Sequence, residues 1–226
     1  MTHLFRALAV MSLALLTIGA APAWLNTVTV TKDGGHVLGN PAAKVKLTAF
    51  ESYTCHFCHD FENTAGGAIR LGYVQPGKVS LELRHVIRDP VDLTAAMLTE
   101  CVPPAKFFQA HRAMYAHFDQ ILKLLADHTD AQEARWKGTA QDRAAGRRAI
   151  AADFGFYDIM ENLGMSRPQA TQCLNNNALA ERLVAQTAAD DKKFDFSGTP
   201  SFALDGKTLA ATHTWDLLQP QIDARL

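Results

Sequence analysis

Residues 47–59 constrain this chain most, because a strand-like apolar run leads directly into two cysteines, Cys55 and Cys58. A cysteine pair at this spacing can form and break a disulfide with little backbone movement. If a helix begins at about Cys55, the unpaired N–H groups of its first turn lower the pKa of that thiol, and a protonated His56 adds to the effect. The pattern predicts a redox pair in which Cys55 is the attacking sulfur and Cys58 the resolving one.

The same motif has other uses, which are a structural disulfide, part of a metal site and the attachment of a c-type haem. Residues Cys55 to His59 spell C-x-x-C-H, and in a haem protein His59 would be an axial ligand of the iron. Haem motifs usually lie in small helical domains, whereas a β-like run precedes these cysteines. A redox dithiol is therefore favoured, with no cofactor and no metal. A metal-binding or chaperone-like module that uses His56, Cys58 and His59 is a further alternative.

The first residues have the organisation of an export signal. His3 and Arg6 precede an almost wholly apolar run at 7–20, and small residues surround a cleavage position near Ala23. The run is shorter than the roughly 20 residues of a membrane-spanning helix, so residues 1–23 are predicted to be a secretory signal peptide, with an uncleaved anchor as the alternative. The formal net charge of −1 gives no indication of a nucleic-acid partner.

Export to an oxidising compartment bears on the two other cysteines, because four cysteines are expected to pair there. If Cys55 and Cys58 are the active pair, Cys101 and Cys173 remain for each other. A disulfide that closes the long loop between Cys101 and Cys173 would stabilise the fold by roughly 4 kcal/mol in the chain-entropy treatment. The alternative is that both are buried free thiols.

Two periodicities divide the chain. Period-2 patterns predict an edge strand at 27–31 and a strand at 79–87, and residues 45–50 are predicted to be a central strand partly buried on both faces. A helix is predicted at 57–71, between the central strand and the strand at 79–87. A strand, a helix and a second strand imply a right-handed crossover and parallel pairing.

From Asp89 the period is helical for about a hundred residues. Helices are predicted at 91–101, 105–118, 121–127, 140–154, 166–174 and 178–193. Strands return as a hairpin at 201–204 and 207–209, turning at Asp205-Gly206, and a helix at 214–224 follows. The chain is therefore divided into the first part of an α/β domain (24–88), a helical insertion (89–193) and the second part of the α/β domain (194–226).

Three motifs together are similar to a known family: residues 37–43 before an apolar strand, the Cys55-x-x-Cys58 pair, and Ser-Gly-Thr-Pro-Ser-Phe at 197–202. They resemble the DsbA-like branch of the thioredoxin superfamily, over nearly all of the chain after the signal peptide. The resemblance implies an α/β thioredoxin-like fold, with a central mixed sheet flanked by helices and an inserted helical subdomain. It also implies disulfide exchange with exported proteins in the periplasm.

The resemblance further implies that Thr199-Pro200 is a cis peptide bond facing the cysteines. Proline has no N–H, which leaves the neighbouring backbone to receive an extended substrate segment; an ordinary strand-opening turn is the alternative. Relatives also carry a second cysteine pair in the insertion, in keeping with Cys101 and Cys173.

Two departures from the family matter for mechanism. The family's buried acid, six positions before the first cysteine, is here Ala49. The nearest acid, Glu51, is a candidate for proton transfer to Cys58, with a solvated glutamate at the strand end as the alternative. The dipeptide between the cysteines is His56-Phe57 rather than Pro-His, so the redox direction does not carry over from the family.

We therefore predict an exported, periplasmic thiol-disulfide oxidoreductase that donates its disulfide to unfolded or partly folded exported proteins. A membrane redox partner resets the dithiol. The predicted catalytic residues are Cys55, Cys58, His56, Thr199 and Pro200. A disulfide isomerase or reductase is the alternative with the same chemistry, although isomerases of this kind usually carry a dimerisation domain, for which the residues between Ala23 and Ala43 are too few. A c-type haem protein is the alternative of another class.

Overall fold

The structure is a computed structural model that describes residues 23–139 and 141–226. The predicted signal peptide lies outside the described residues, apart from Ala23. The described strands form one mixed sheet in the order β1-β2-β4-β3-β5-β6. These strands are β1 (Val28–Val30), β2 (His36–Leu38), β3 (Val45–Glu51), β4 (Val79–His85), β5 (Ser201–Leu204) and β6 (Lys207–Thr208).

Strand β3 lies at the centre of the sheet, between β4 and β5. Its pairing with β4 is parallel, as predicted from the crossover, and its pairing with β5 is antiparallel. Of its seven residues only Lys46 is exposed, because both faces of the strand are covered. The predicted hairpin turns at Asp205 and Gly206, both of which have positive φ, as a tight turn between antiparallel strands requires.

Helices α2 to α9 follow one another in the chain between β4 and β5. The described helices are α1 (His56–Phe61), α2 (Pro90–Glu100), α3 (Phe107–Ala116), α4 (Phe118–Asp127), α5 (Asp130–Lys137), α6 (Arg143–Asp153), α7 (Phe156–Asn162), α8 (Arg167–Leu174), α9 (Asn177–Phe194) and α10 (Trp215–Asp223). None of the helices in these described segments is long and apolar enough to cross a bilayer.

Three helical regions differ from the sequence prediction. The helix predicted at 57–71 starts at His56, and beyond α1 it passes through two π-helical segments, Glu62–Gly66 and Ile69–Val74. Helix α5 was missed because Trp136 is its only buried residue, so it has almost no hydrophobic periodicity. Helix α7 was missed because it is short and begins at Gly155, whose φ of 70° separates it from α6.

The helices after β4 are fastened to one another by a disulfide. It joins Cys101, at the end of α2, to Cys173 in α8, with 6.1 Å between the Cα atoms. Helix α2 also packs on α3, α6 and α9. Because α2 begins beside the carboxyl end of β4, this packing fixes the helices against the end of the sheet where β3 runs into the C-x-x-C motif.

Candidate active site

The two cysteines lie where β3 gives way to α1. Cys55 is the N-cap residue of α1, with extended backbone, and Cys58 lies within the helix. Both are free thiols, and they are 3% and 0% exposed. The structure therefore holds the pair in its reduced state, at the end of the central strand.

The turn that leads into Cys55 is held by the start of α2. The buried carboxylate of Asp92 accepts hydrogen bonds from Ser52 Oγ at 2.6 Å and from the Tyr53 N–H at 2.8 Å. Thr54 Oγ1 donates to Asp89, the N-cap residue of α2. Sequence analysis missed Asp92, since nothing local shows that an acid in the first turn of α2 meets a loop so far back in the chain. These contacts fix where Cys55 sits.

The thiol of Cys55 has a pKa lowered to about 5. The largest cause is a hydrogen bond from the Cys58 thiol to the Cys55 sulfur, which outweighs the rise in pKa that burial causes. Hydrogen bonds from the Thr199 side chain and the Cys58 N–H, and the positive charge of Arg88, lower the pKa further. Each of these groups stabilises the thiolate more than the thiol. A thiol of lowered pKa is the better leaving group, and the thiolate is the reactive form in disulfide exchange.

Cys58 has the opposite character. Burial raises the pKa of its thiol well above the ordinary value, and its hydrogen bond to Cys55 and the charge of Glu51 raise it further. One sulfur is thus prepared to carry a negative charge and the other to carry a proton. The assignment of Cys55 as the attacking sulfur and Cys58 as the resolving one stays a prediction.

The Thr199-Pro200 bond is cis and lies against the cysteines. In its thiol form Cys55 Sγ donates to the carbonyl oxygen of Thr199 at 3.2 Å. On the other side of the loop, His213 Nδ1 lies 2.7 Å from the carbonyl oxygen of Pro200, to which it donates. The loop that precedes β5 therefore lies against the Cys55 sulfur. The hydrogen bond from His213 to this loop was not predicted from the sequence.

Glu51 lies close enough to the pair for its charge to raise the pKa of the Cys58 thiol. It is 4% exposed, so the alternative of a solvated glutamate is wrong. Tyr115 Oη donates to its Oε2 at 3.0 Å, and His111 Nε2 lies 3.7 Å from the same atom. Burial, followed by the charge of Glu62, raises the pKa of Glu51 to about 8. Glu51 can therefore hold a proton at neutral pH.

His56 points away from this centre. Its Nε2 lies 2.9 Å from Asp60 Oδ2 on the exposed face of α1. The positive charge that acts on Cys55 is that of Arg88, and the effect of His56 on the thiolate stays a prediction.

His59, the ligand in the haem alternative, stacks its ring on Phe118 with 4.5 Å between ring centroids. Its Nε2 lies 2.9 Å from the Asn63 side chain. In the part of the chain that the structure covers, no group of three or more histidine, cysteine, aspartate or glutamate side chains is arranged to hold a metal ion.

A cleft of about 340 Å³ opens beside the pair, between α1 and the segment that begins α10. Its lining includes Phe57, Phe61, His213 and Trp215. Phe57, the second residue between the cysteines, is 68% exposed. An apolar side chain next to a reacting thiol could enter this cleft while its backbone lies along the Thr199-Pro200 loop.

Comparison with known proteins agrees with this geometry. A family model described as thioredoxin matches residues 31–224. The crystal structure of a protein-disulfide isomerase from Novosphingobium aromaticivorans is 48% identical, with a TM-score of 0.80, and the match covers 85% of this chain and 97% of that one. The structure of alpha-DsbA1 from Wolbachia pipientis is 22% identical, with a TM-score of 0.60, covering 86% and 92% of the two chains.

A relative in Rickettsia typhi, named as a candidate protein-disulfide oxidoreductase, is 29% identical over 171 residues, or 75% of this chain. The chain spans 54% of the length of that relative and 61% of a similar protein of Rickettsia conorii. The family match takes in both cysteines of the motif, the cis-proline and nearly all of the sheet. The chain therefore belongs to the thioredoxin family, and its fold is the DsbA-like form, with helices inserted between β4 and β5.

Proposed function

We propose that this protein is an exported thiol-disulfide oxidoreductase that donates its Cys55–Cys58 disulfide to unfolded or partly folded exported proteins. The observation that carries the proposal is the opposite shift of the two thiol pKa values, down to about 5 for Cys55 and well up for Cys58. A stabilised Cys55 thiolate favours the reduced pair, and a pair that is stable when reduced is a strong oxidant.

The reaction is two successive exchanges. A substrate thiolate attacks Cys55 Sγ, a bond forms between them, and the Cys55–Cys58 bond breaks with its electron pair on Cys58. Cys58 then takes up a proton, because its buried thiolate is unfavourable. A second substrate thiolate attacks the substrate sulfur of the mixed disulfide and displaces Cys55 as a thiolate. The substrate loses two electrons and gains a disulfide, while the pair gains those electrons.

Glu51 is the group proposed to supply the proton to Cys58. It is buried, it is protonated at neutral pH, and when ionised it lies close enough to raise the pKa of the Cys58 thiol. An acid of raised pKa close to a group that must gain and lose a proton meets the requirement for general acid–base catalysis. Glu51 thus takes the part that the family gives to an acid at the position of Ala49.

Substrate binding is proposed at the Thr199-Pro200 loop. The loop lies within hydrogen-bond distance of Cys55, so a peptide along it presents its own cysteine to the sulfur. The cleft beside Phe57 offers the rings of Phe61 and Trp215 to apolar substrate side chains, and its lining also includes Asp60, Asp216 and His213. We propose that His56, on the exposed face of α1, contacts the substrate or interacts with charged groups of the substrate.

Export and resetting belong to the same proposal. The apolar run at 7–20, with the cleavage position near Ala23, supports delivery to the periplasm. A dithiol that has given up its disulfide needs an electron acceptor before it can act again, and we propose a membrane redox partner for this step. The division into residues 24–88, 89–193 and 194–226 is retained as the proposed domain organisation.

A disulfide isomerase is the second candidate, because the 48% identical relative bears that name. Isomerisation uses the reduced pair: the Cys55 thiolate attacks a wrong disulfide and leaves again after the substrate has rearranged. The two functions share Cys55 and differ in which redox state begins the cycle.

The experiment mixes the oxidised protein with a reduced, unfolded protein that has several cysteines, and counts free thiols over time. We expect one substrate disulfide for each Cys55–Cys58 pair reduced. Reduced protein is then mixed with a scrambled disulfide protein to measure isomerisation. Fast reshuffling together with slow donation would replace the donor proposal with the isomerase, and no reaction in either assay would contradict both.

A further inference from the structure

A series of buried polar side chains, with neighbouring polar atoms 3.1 to 3.7 Å apart, leads away from Glu51 through the interior. We name it the Glu51–Glu100 chain; its members are Glu51, His111, Tyr53, Thr99, His85 and Glu100. His111 links Glu51 to Tyr53: its Nε2 lies 3.7 Å from Glu51 Oε2 and its Nδ1 lies 3.1 Å from Tyr53 Oη. Thr99 Oγ1 lies 3.4 Å from Tyr53 Oη on one side and 3.4 Å from His85 Nε2 on the other. His85 Nε2 in turn lies 3.7 Å from Glu100 Oε1.

Burial of these polar side chains costs free energy unless they form hydrogen bonds with one another. Tyr53 and His111 are each 2% exposed and Thr99 is 0% exposed. Polar groups removed from water to this degree require partners inside the protein. The series begins at Glu51, the group proposed above to exchange a proton with Cys58.

The hydrogen bonds between His111 and Thr99 have a direction. Thr99 Oγ1 donates to the carbonyl oxygen of Ala96 at 2.9 Å, so it accepts from Tyr53 Oη. Tyr53 then accepts from His111 Nδ1–H, and the lone pair of His111 Nε2 faces Glu51. This tautomer is assigned from the network. A protonated Glu51 can therefore pass its proton to His111. To pass a proton on, the Thr99 hydroxyl must turn from Ala96 to His85 Nε2, which lies 3.4 Å away.

The far end of the chain can hold a proton. Glu100 Oε1 and His36 Nδ1 lie 3.3 Å apart, and within the described residues both are buried and lack a hydrogen-bond partner. One proton between them would satisfy both atoms. Glu100 Oε2 accepts from Arg182 at 2.7 Å, and the Arg182 side chain is 44% exposed, so this end reaches the surface.

The chemistry of Cys58 needs such a route. Its side chain is 0% exposed, yet its proton must leave before the disulfide forms and return after the disulfide breaks. We propose that the Glu51–Glu100 chain carries that proton between Cys58 and the surface at Arg182. The inference rests on the proposed function, since a pair that never exchanges has no proton to move.

Oxidation of the reduced pair by oxidised glutathione shows the balance. The Cys55 thiolate displaces one glutathione thiolate and forms a mixed disulfide. Glu51, which is protonated at neutral pH, first passes its proton along the chain to solvent, where a released glutathione thiolate takes one up. Cys58 then gives its proton to the ionised Glu51, and the Cys58 thiolate attacks Cys55 and displaces the second glutathione thiolate. Reduction runs these steps in reverse.

The test compares two variants with the same chemical change. Tyr53→Phe removes the hydroxyl that joins His111 to Thr99 and keeps the ring. Tyr157→Phe removes another buried hydroxyl, to which Thr171 donates at 3.3 Å, outside the chain. Rate constants for oxidation by oxidised glutathione and for reduction by reduced glutathione are measured, together with the equilibrium reduction potential of the pair.

For Tyr53→Phe we expect both rate constants to fall by about tenfold, a part of what general acid–base catalysis can contribute. The reduction potential should not change, because a proton route alters forward and reverse rates equally. Tyr157→Phe should behave as the unaltered protein. A structural role of Tyr53 would instead shift the potential.

Thr99→Val breaks the chain at its next member and gives the same readout if Tyr53→Phe does not fold. Equal rates in Tyr53→Phe and Tyr157→Phe, or a change in only one direction with a shifted potential, would overturn the inference. Failure of the unaltered protein to exchange with glutathione would contradict the proposed function itself, before any variant is compared.

Discussion

The two cysteine pairs of this chain show how position decides what the same side chain does. Cys55 and Cys58 lie within one turn of helix, where hydrogen bonds and burial drive their pKa values apart. Cys101 and Cys173 lie 72 residues apart and are joined across two helices of the insertion. One pair is arranged so that its two sulfurs differ, which suits exchange, and the other closes a long loop, which suits stability.

Substitution of Cys55 should give the largest effect. In Cys55→Ser the nucleophile is lost, and disulfide exchange with a thiol substrate should fall by about 10³-fold or more. The loss of thiols from a reduced unfolded substrate measures the rate. Cys58→Ser is the matched control: it keeps Cys55 and lacks the resolving thiol, so with a disulfide-bonded substrate it should displace one substrate thiolate and accumulate a mixed disulfide. Residual exchange in Cys55→Ser near that of the unaltered protein would assign the nucleophile elsewhere.

Removal of the second pair should affect stability rather than exchange. The double variant Cys101→Ser/Cys173→Ser should lose roughly 4 kcal/mol of unfolding free energy, because its unfolded chain is no longer closed into a loop. Denaturant unfolding measures this value. The exchange rate under native conditions should stay within about twofold of the unaltered protein. A loss of exchange without a loss of stability would make the second pair part of the reaction.

Glu51→Gln should give an intermediate effect. Glutamine keeps the shape and a hydrogen bond to Tyr115 but cannot supply a proton, so reduction of the Cys55–Cys58 disulfide should slow by about 10²-fold. Stopped-flow measurement with reduced glutathione gives the rate. Glu62→Gln is the control, because Glu62 acts on Glu51 only through its charge. An equal effect of both substitutions would assign Glu51 an electrostatic role alone.

The pH dependence of the reduction potential is the smallest predicted effect. The folded-state pKa of Cys55 is depressed to about 5, so the stability that its thiolate gives to the reduced protein is present at high pH and is lost as the pH falls through about 5. Above that pH, reduction takes up one proton for two electrons. The potential should therefore fall by about 30 mV per pH unit between about pH 5.5 and 7. A slope of about 60 mV per unit would mean that both thiols are protonated there.

The sequence predicted the sheet and the pair because their signals are local. Alternation marks β3 and β4, and the spacing of Cys55 and Cys58 is itself the motif. Helix α5 was missed although the sequence contains its capping box, formed by Thr129 and Gln132. An N-cap signal was outweighed by the absence of an apolar face.

The surroundings of the pair could not be predicted in the same way. Whether Glu51 is solvated depends on Tyr115 and His111, which lie in a helix that the chain builds some 60 residues later. The position of Cys55 depends on Asp92, which belongs to α2. Such contacts come from tertiary packing, and one sequence without structure carries no local trace of them. The contact between His56 and Asp60 could have been predicted from the sequence, since residues four apart on a helix are neighbours.

The measurement that tests the central claim most directly is the equilibrium reduction potential of the Cys55–Cys58 pair, titrated against glutathione with the Cys101–Cys173 disulfide intact. The account predicts a value near about −120 mV, because the stabilised Cys55 thiolate favours the reduced pair. A value of about −200 mV or lower would contradict it. The pair would then be a reductase or isomerase, and the hydrogen bonds to Cys55 would not stabilise the thiolate as described.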